Sequence, residues 1–295
     1  MESVLVTGPN GLVGGHLRET LGDAFLPLEA DVLDGPAVAA AVRDVKPEAV
    51  VHLAAESSVS GSWEGVSRTW TVNAIGTVNV IEAVRAEQPE ARVLVVSSGE
   101  VYGNANVIPT PENAPVQPLS PYAASKAAAE FACVQAAAGG LDVVIARAFP
   151  HTGPGQDERF AIGSWTRQLA RLEADGGGVL LVGDLSAERD LTDVRDVCRA
   201  YELLLDRAVE AGTYNVASGR TVAMGRIVEL LADLAEAPVR VERDEARLRP
   251  VDIPKLSGDP ARLRAATGWE PRIPLEQTLA DTLGAARKSE LERVP

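Results

Sequence analysis

The chain has 295 residues, enough to bury a full core as one large domain or two modest ones. Hydrophobic residues make up 46% and charged residues 24%, the balance of an ordinary globular protein. The formal net charge of −14 argues against a nucleic-acid partner, whose phosphates need a basic surface, but allows a nucleotide ligand that asks only for a few local cations and amides.

Ser3-Val4-Leu5-Val6-Thr7 is a short β-branched run that ends at Gly8, and a helical pattern opens near Leu12. Between them lies Gly8-Pro9-Asn10-Gly11-Leu12-Val13-Gly14, a G-x-x-G-x-x-G turn. Glycines there let backbone N–H groups approach a pyrophosphate at a helix N-terminus, where the dipole favours negative charge. A tight β–α turn with no ligand is the plainer reading; the motifs further along favour a dinucleotide. Ala24 to Leu28 reads as a second strand leading to Asp31-Val32-Leu33-Asp34, where Asp31 could meet an adenine amino group and Asp34 could cap a helix. No acid is evident at the strand tip for a ribose 2′-hydroxyl, and no Arg for a 2′-phosphate, so NAD and NADP both stay open.

Ala49 to Leu53 is the next buried strand, followed by Ala54-Ala55-Glu56-Ser57-Ser58, small residues that let a cofactor lie against the backbone. His52 reads as a core residue rather than a catalyst. A long helical segment from about Glu64 to Glu87 carries Asn73 and is stopped by Pro89. Arg92 to Val96 is continuous rather than alternating, as a strand covered on both faces requires. This repeated order predicts an α/β fold, a Rossmann-type doubly wound parallel sheet, with ligands outside the strand carboxyl ends.

At that edge begins Ser97-Ser98-Gly99-Glu100-Val101-Tyr102-Gly103. The Ser98 hydroxyl can hydrogen-bond a substrate oxygen, and Glu100 can act as a base or cap a turn. The Pro-rich stretch from Pro109 to Pro121 is long for a connector and suggests a substrate-side flap. Pro121-Tyr122-Ala123-Ala124-Ser125-Lys126 follows, with Tyr122 and Lys126 one helical turn apart. An ammonium beside a phenol favours the phenolate, so Lys126 is expected to lower the Tyr122 pKa from about 10 and make it a usable proton donor. The rest of this helix is Ala-rich and ends at Gly139-Gly140; its small side chains suit close packing across a dimer, or simply helix propensity.

Leu141 to Arg147 is another strand, and His151 to Phe160 is polar and glycine-rich. Val179 to Val182 and Tyr214 to Val216 read as strands; Arg195–Ala208, Ile227–Leu234, Pro260–Thr267 and Leu275–Ala286 read as helices. The expected division is a cofactor-binding domain, 1–155 plus about 187–220, and a smaller α/β substrate lobe, about 156–186 plus 221–295. Cys133 and Cys198 sit in apolar helical stretches as reduced core thiols, and the three His are scattered, so no metal is expected. No signal peptide or membrane-spanning run is evident, and a cytoplasmic location is expected.

With the glycine turn, Ser98, Tyr122 and Lys126 in place, the sequence resembles the extended short-chain dehydrogenase/reductase family, which modifies nucleotide sugars, over essentially its whole length. His151–Gln156, Arg189–Asp196 and Arg249–Asp252 are most similar to members that reduce GDP-4-keto-6-deoxy-D-mannose. The resemblance implies a pocket for NAD or NADP, with NADPH favoured, built from Gly8, Asn10, Gly11, Leu12, Val13, Gly14, Asp31, Val32, Leu53, Ala54, Ala55, Asn73 and Ser97, with Lys126 on the nicotinamide ribose beside Tyr122. Tyr122 would protonate the sugar oxygen and Ser98 would share that hydrogen bond. Glu100, His151 and Arg159 would face the substrate, and Arg189 and Arg249 would clamp a GDP diphosphate. The implied reaction is reduction of the 4-keto group to give GDP-D-rhamnose, with 4,6-dehydration of GDP-mannose or epimerisation as the alternative. The implied assembly is a homodimer joined through the helices near 64–87 and 122–138.

Two departures matter. Pro150 stands where the family usually has an Asn that contacts the substrate phosphates. Glu100 stands where related dehydratases keep a glutamate that removes the C5 proton, yet Gly99 has no side chain to help water leave, which favours reduction.

Overall fold

Val4–Thr7 forms β1, and all four residues are buried, so both faces of the strand are covered. The structure, a computed structural model, describes residues 2–248 and 251–292. After β1 come α1 (Leu12–Leu21), β2 (Phe25–Pro27), α2 (Gly35–Val45), β3 (Ala49–His52), α3 (Val59–Glu64), α4 (Val66–Trp70), α5 (Gly76–Glu87), β4 (Arg92–Ser98), α6 (Pro121–Ala138) and β5 (Val143–Ala148). The second half adds β6 (His151–Thr152), α7 (Ala161–Ala174), β7 (Gly178–Val182), β8 (Glu188–Asp190), β9 (Thr192–Asp193), α8 (Val194–Leu204) and β10 (Gly212–Val216). It closes with β11 (Thr221–Ala223), α9 (Met224–Asp233), β12 (Val239–Arg243), β13 (Lys255–Leu256), α10 (Ala261–Thr267) and α11 (Leu275–Leu291).

The main sheet has the order β10-β5-β4-β3-β1-β2, and every pairing in it is parallel. The chain leaves β1 for β2 on one side and returns to β3 on the other. That reversal opens a crevice at the strand carboxyl ends, where Rossmann-like sheets bind ligands. Alternation decides which residue serves which layer. Val4 and Val6 pack with Leu17 of α1 and Val197 and Tyr201 of α8, whereas Leu5 packs with Val38 of α2 and Val80 and Val84 of α5. A third core, including Trp165, Leu169, Leu180, Ile227 and Leu279, joins α7, β7, α9 and α11. No helix among the described residues is long and apolar enough to cross a membrane.

Three expectations change. The single helix over 64–87 is broken: α3 ends at Glu64, and α4 joins α5 through a π-helical turn, Thr71–Ile75. That turn holds Asn73, whose amide oxygen accepts from the Glu56 N–H at 2.8 Å and whose amide nitrogen donates to Ser125 Oγ at 2.9 Å. Such turns recur at functional sites. The helix read over 195–208 stops at Leu204, because Asp206 Oδ1 accepts from the Ala208 N–H in a local turn. The Pro-rich stretch is a strap rather than a flap. The Thr110 N–H donates to Ser257 O at 2.8 Å, the Asp259 N–H to Thr110 O at 2.9 Å and the Gln117 N–H to Val101 O at 2.8 Å.

Candidate active site

The glycine turn is shaped to take backbone close to a ligand. Gly8 has φ of +65°, and a Cβ on Gly14 would lie 2.6 Å from the carbonyl oxygens of both Gly8 and Pro9. Helix α1 opens at Gly11 with no side-chain cap and no acid in its first turn, so the N–H groups of Leu12, Val13 and Gly14 face outward at the positive end of the helix. This cradle fits the pyrophosphate of a dinucleotide.

A directional chain of hydrogen bonds fixes the floor of the crevice. Thr7 Oγ1 accepts from the N–H groups of Leu53 at 3.1 Å and Ala54 at 3.0 Å, so its own proton goes to His52 Nδ1 at 2.8 Å. His52 Nε2–H then donates to Thr77 Oγ1 at 3.0 Å, and Thr77 donates to Asn73 O at 2.6 Å. Burial, aided by the nearby Lys126 charge, lowers the His52 pKa to about 3. The ring is therefore a neutral structural pivot, as its place in the sequence suggested. Asn73, read as a cofactor contact, braces the loop after β3 against α6 instead of offering its amide to the crevice.

Asp31 Oδ1 accepts from the Leu33 N–H at 2.9 Å, Val32 is buried, and Asp34 caps α2 by accepting from the Ala37 N–H at 3.1 Å. One residue escaped the sequence reading. The Leu28 N–H donates to Val6 O at 2.8 Å, which carries the β1–β2 pairing past Pro27 and leaves Glu29 as the first residue beyond it. Glu29 is exposed, and its carboxylate has no partner among the described residues. An acid about 20 residues beyond the first glycine is the available signal, and its place depends on where the ladder stops.

Helix α6, capped by Ser120 accepting from the Ala123 N–H at 3.1 Å, carries Tyr122, Lys126 and Glu130 on successive turns of one face. All three grip the end of β4. The Tyr122 phenol lies beside Ser98, Lys126 Nζ donates to Val96 O at 2.8 Å, and Glu130 accepts from Ser97 Oγ. Arg147, beside Ser97 in register on β5, pairs with Glu130 through two bonds of 2.9 and 2.7 Å. The Ser97 hydroxyl is thus engaged inside the protein rather than aimed at a cofactor. Ser98 Oγ also accepts from the Glu100 N–H at 3.2 Å.

The expected lowering of the Tyr122 pKa is not what the structure gives. Burial pushes the phenol up to about 12, the hydrogen bond from Ser98 opposes the rise, and the Glu100 charge adds to it. Lys126 moves the other way, to about 8, because burial disfavours its charge while the Glu130 charge opposes that fall. Desolvation outweighs the neighbouring charge for both groups.

The substrate-side residues are less closely gathered. His151 Nδ1–H donates to Phe149 O at 3.0 Å, leaving Nε2 as the acceptor, and burial lowers its pKa. Arg159 is exposed, holds Asp157 at 3.0 Å, and lines the rim of a cavity of about 370 Å³ with Glu56, Ser58, Ser60 and Arg68. Ser58, Ser60 and Arg68 were not foreseen there. Arg189 is buried and gives its donors to Glu188 O at 2.9 Å, Ile253 O at 2.7 Å and Asp252. To clamp a diphosphate it must use its two remaining N–H groups or release Asp252. Arg249 lies outside the described residues. Pro150 has no amide to offer, and its carbonyl accepts from the Thr192 N–H at 3.1 Å. No cluster of three or more His, Cys, Asp or Glu that could hold a metal occurs among the described residues, and both cysteines are buried and free.

Residues 16–282 match the family described as GDP-mannose 4,6 dehydratase. The chain belongs to this family, within the extended short-chain dehydrogenase/reductases. It is 36% identical over 289 residues to GDP-6-deoxy-D-mannose reductase of Pseudomonas aeruginosa, covering 94% of this chain and 95% of that protein. It is 32% identical over 263 residues to UDP-glucose 4-epimerase of Mycolicibacterium smegmatis, covering 88% and 82%. Among solved structures, RMD from Pseudomonas aeruginosa complexed with NADPH superposes with a TM-score of 0.89 at 35% identity, covering 98% of this chain and all of that one.

Proposed function

We propose that the protein is an NAD(P)H-dependent reductase of the 4-keto group of a nucleotide-linked 4-keto-6-deoxy sugar, with GDP-4-keto-6-deoxy-D-mannose as substrate and GDP-D-rhamnose as product. The observation that carries this reading is the Tyr122–Ser98 pair at the mouth of the crevice, with Lys126 one turn below and the glycine cradle beside it. Similarity to the Pseudomonas aeruginosa reductase along nearly the whole length supports it. The cofactor side is 1–155 with about 187–220, and the rest forms the substrate lobe.

When bound, the reduced nicotinamide supplies the hydride. Tyr122 keeps its proton at neutral pH, because its pKa lies near 12. The C4 oxygen becomes a stronger base than a phenolate as the carbon is reduced, so the proton moves to it from Tyr122 Oη. Ser98 Oγ holds the same oxygen in line. The carbonyl has then gained one hydride and one proton, and the dinucleotide is left oxidised. Of the two dinucleotides, Glu29 favours NADH: a carboxylate at this tip accepts from a ribose 2′-hydroxyl and repels a 2′-phosphate.

Dehydration is the second reading, favoured by Glu100 lying close enough to Tyr122 to raise its pKa. The test is to supply GDP-mannose or its 4-keto-6-deoxy derivative with and without reduced cofactor. Oxidation of the cofactor only with the keto-sugar is the expected result, and Glu100→Gln should change that rate less than about threefold. Loss of GDP-mannose with no net cofactor change, abolished in Glu100→Gln, overturns the reductase reading. The exposed apolar face of α4–α6 completes the picture as the contact of a homodimer.

A further inference from the structure

The Glu130–Arg147 pair is buried beside the reacting groups, and the proton transfer described above gives it no role. Glu130 is 5% exposed and Arg147 7%. A charge at this depth is retained only if paired and hydrogen-bonded, and this one is held on every side. Glu130 takes two bonds from Arg147 and one from Ser97. Arg147 also donates to Tyr102 Oη at 2.8 Å and to Glu112 O at 3.0 Å, and Tyr102 donates to Asn215 Oδ1 at 2.7 Å. The carboxylate therefore has one fixed place, a turn below Lys126 on the same helix face.

The other titratable neighbours of Lys126 carry no charge at neutral pH. On its own helix the Tyr122 phenol and the Cys133 thiol are both raised to about 12, and on β3 His52 is lowered to about 3. Arg147 on β5 is a cation already satisfied by Glu130. Glu100 acts on Tyr122 and is not among the charges that shift Lys126. That leaves the Glu130 carboxylate as the anion that acts on the Lys126 ammonium among the described residues.

We propose that Glu130 is a positioning residue of the reaction: locked by Arg147 and Ser97, its carboxylate keeps Lys126 charged at the pH where the enzyme works. The inference rests on the reductase reading for its consequence in turnover, but not for its physical content. Lys126 is one of four lysines in the chain, so its titration can be followed directly by the ¹³Cε shift of labelled lysine in the cofactor-free protein, with no substrate present.

In Glu130→Gln the Lys126 midpoint should fall by about 1 pH unit or more, the range for loss of a nearby opposite charge. The alkaline limb of kcat should follow it. With a one-unit fall, the loss relative to wild type grows from less than about twofold at pH 6.5 to about tenfold at pH 9, whereas a merely structural defect lowers kcat equally at every pH. Should Gln leave Arg147 orphaned and the protein unfolded, Glu130→Leu with Arg147→Met removes both charges together, a change buried pairs often tolerate, and should still lower the midpoint. An unmoved Lys126 midpoint in the folded variant, or a kcat loss independent of pH, overturns the proposal. A lowered midpoint in an enzyme that ignores the keto-sugar leaves it standing and sinks the reductase reading alone.

Discussion

Tyr122 and Lys126 lie one turn apart, yet burial drives their pKa values in opposite directions, to about 12 and about 8. The Lys126 value has fallen from 10.5, so the folded chain disfavours the charged form. Its contribution to stability is therefore greatest above pH 10.5 and is lost as pH falls through 8, while the active cation is present only below 8. Activity should accordingly decline above about pH 8 while the fold holds, checked by kcat/KM and thermal melts over the same pH series. Tyr122→Phe should lower turnover by about 100-fold or more and leave the dinucleotide dissociation constant nearly unchanged; unchanged turnover removes Tyr122 as the acid. Glu29 gives a separate prediction. Glu29→Ala should lower the NADH-to-NADPH ratio of kcat/KM by about tenfold or more, the worth of a hydrogen bond to a charged acceptor. A ratio that stays level takes the ribose away from Glu29.

At the scale of elements, what could be read in the sequence was what is local in the chain. The β1–turn–α1 unit, the apolar runs of β3 and β4, and the Tyr122–Lys126 spacing all lie within a few residues, where period and glycine placement speak directly. Glu130 and Arg147 sit 17 residues apart, and Ser97 is 33 from Glu130, so nothing in their spacing announces a cluster. The small strands were hidden for another reason. β8, β9, β11 and β13 have two or three residues each, and β12 reads Val-Arg-Val-Glu-Arg with four of its five residues exposed. Neither length nor burial gives such strands a pattern. The break at 65–75 was hidden because bonds from Asn73 to Glu56 and Ser125 override a continuous helical period. The glycine turn yields the prediction at this scale. A methyl on Gly14 would sit 2.6 Å from two backbone carbonyl oxygens, neither of them a flexible side chain, so the turn itself must move. Gly14→Ala should weaken dinucleotide binding by about tenfold or more and lower the melting temperature by several degrees; calorimetric titration with a wild-type constant would show that the cradle lies elsewhere.

At the scale of the whole molecule, the catalytic helix is also a surface helix. One face of α6 buries Tyr122, Lys126, Glu130 and Cys133, while the opposite face leaves Phe131 at 70% and Val134 at 59% exposure. Helix α4 packs against α6, and it and the turn beside it expose Trp70 at 41% and Ile75 at 53%. Large apolar side chains left open on two packed helices suit an interface, and two such pairs of helices related by a twofold axis would cover one another. Each chain carries a formal charge of −14, so two copies repel and the apolar contact must outweigh that repulsion. Screening weakens the repulsion and leaves the contact untouched. The protein should therefore sediment at about twice 31.0 kDa, and the dimer should tighten as salt is raised from low ionic strength. Phe131→Glu with Val134→Asp should give a 31.0 kDa species. In the proposed dimer the covered face of α6 backs the face that carries Tyr122 and Lys126, so that species should also melt lower and turn over more slowly. A wild-type chain that sediments as a monomer at high salt removes the dimer and, with it, this account of the exposed face.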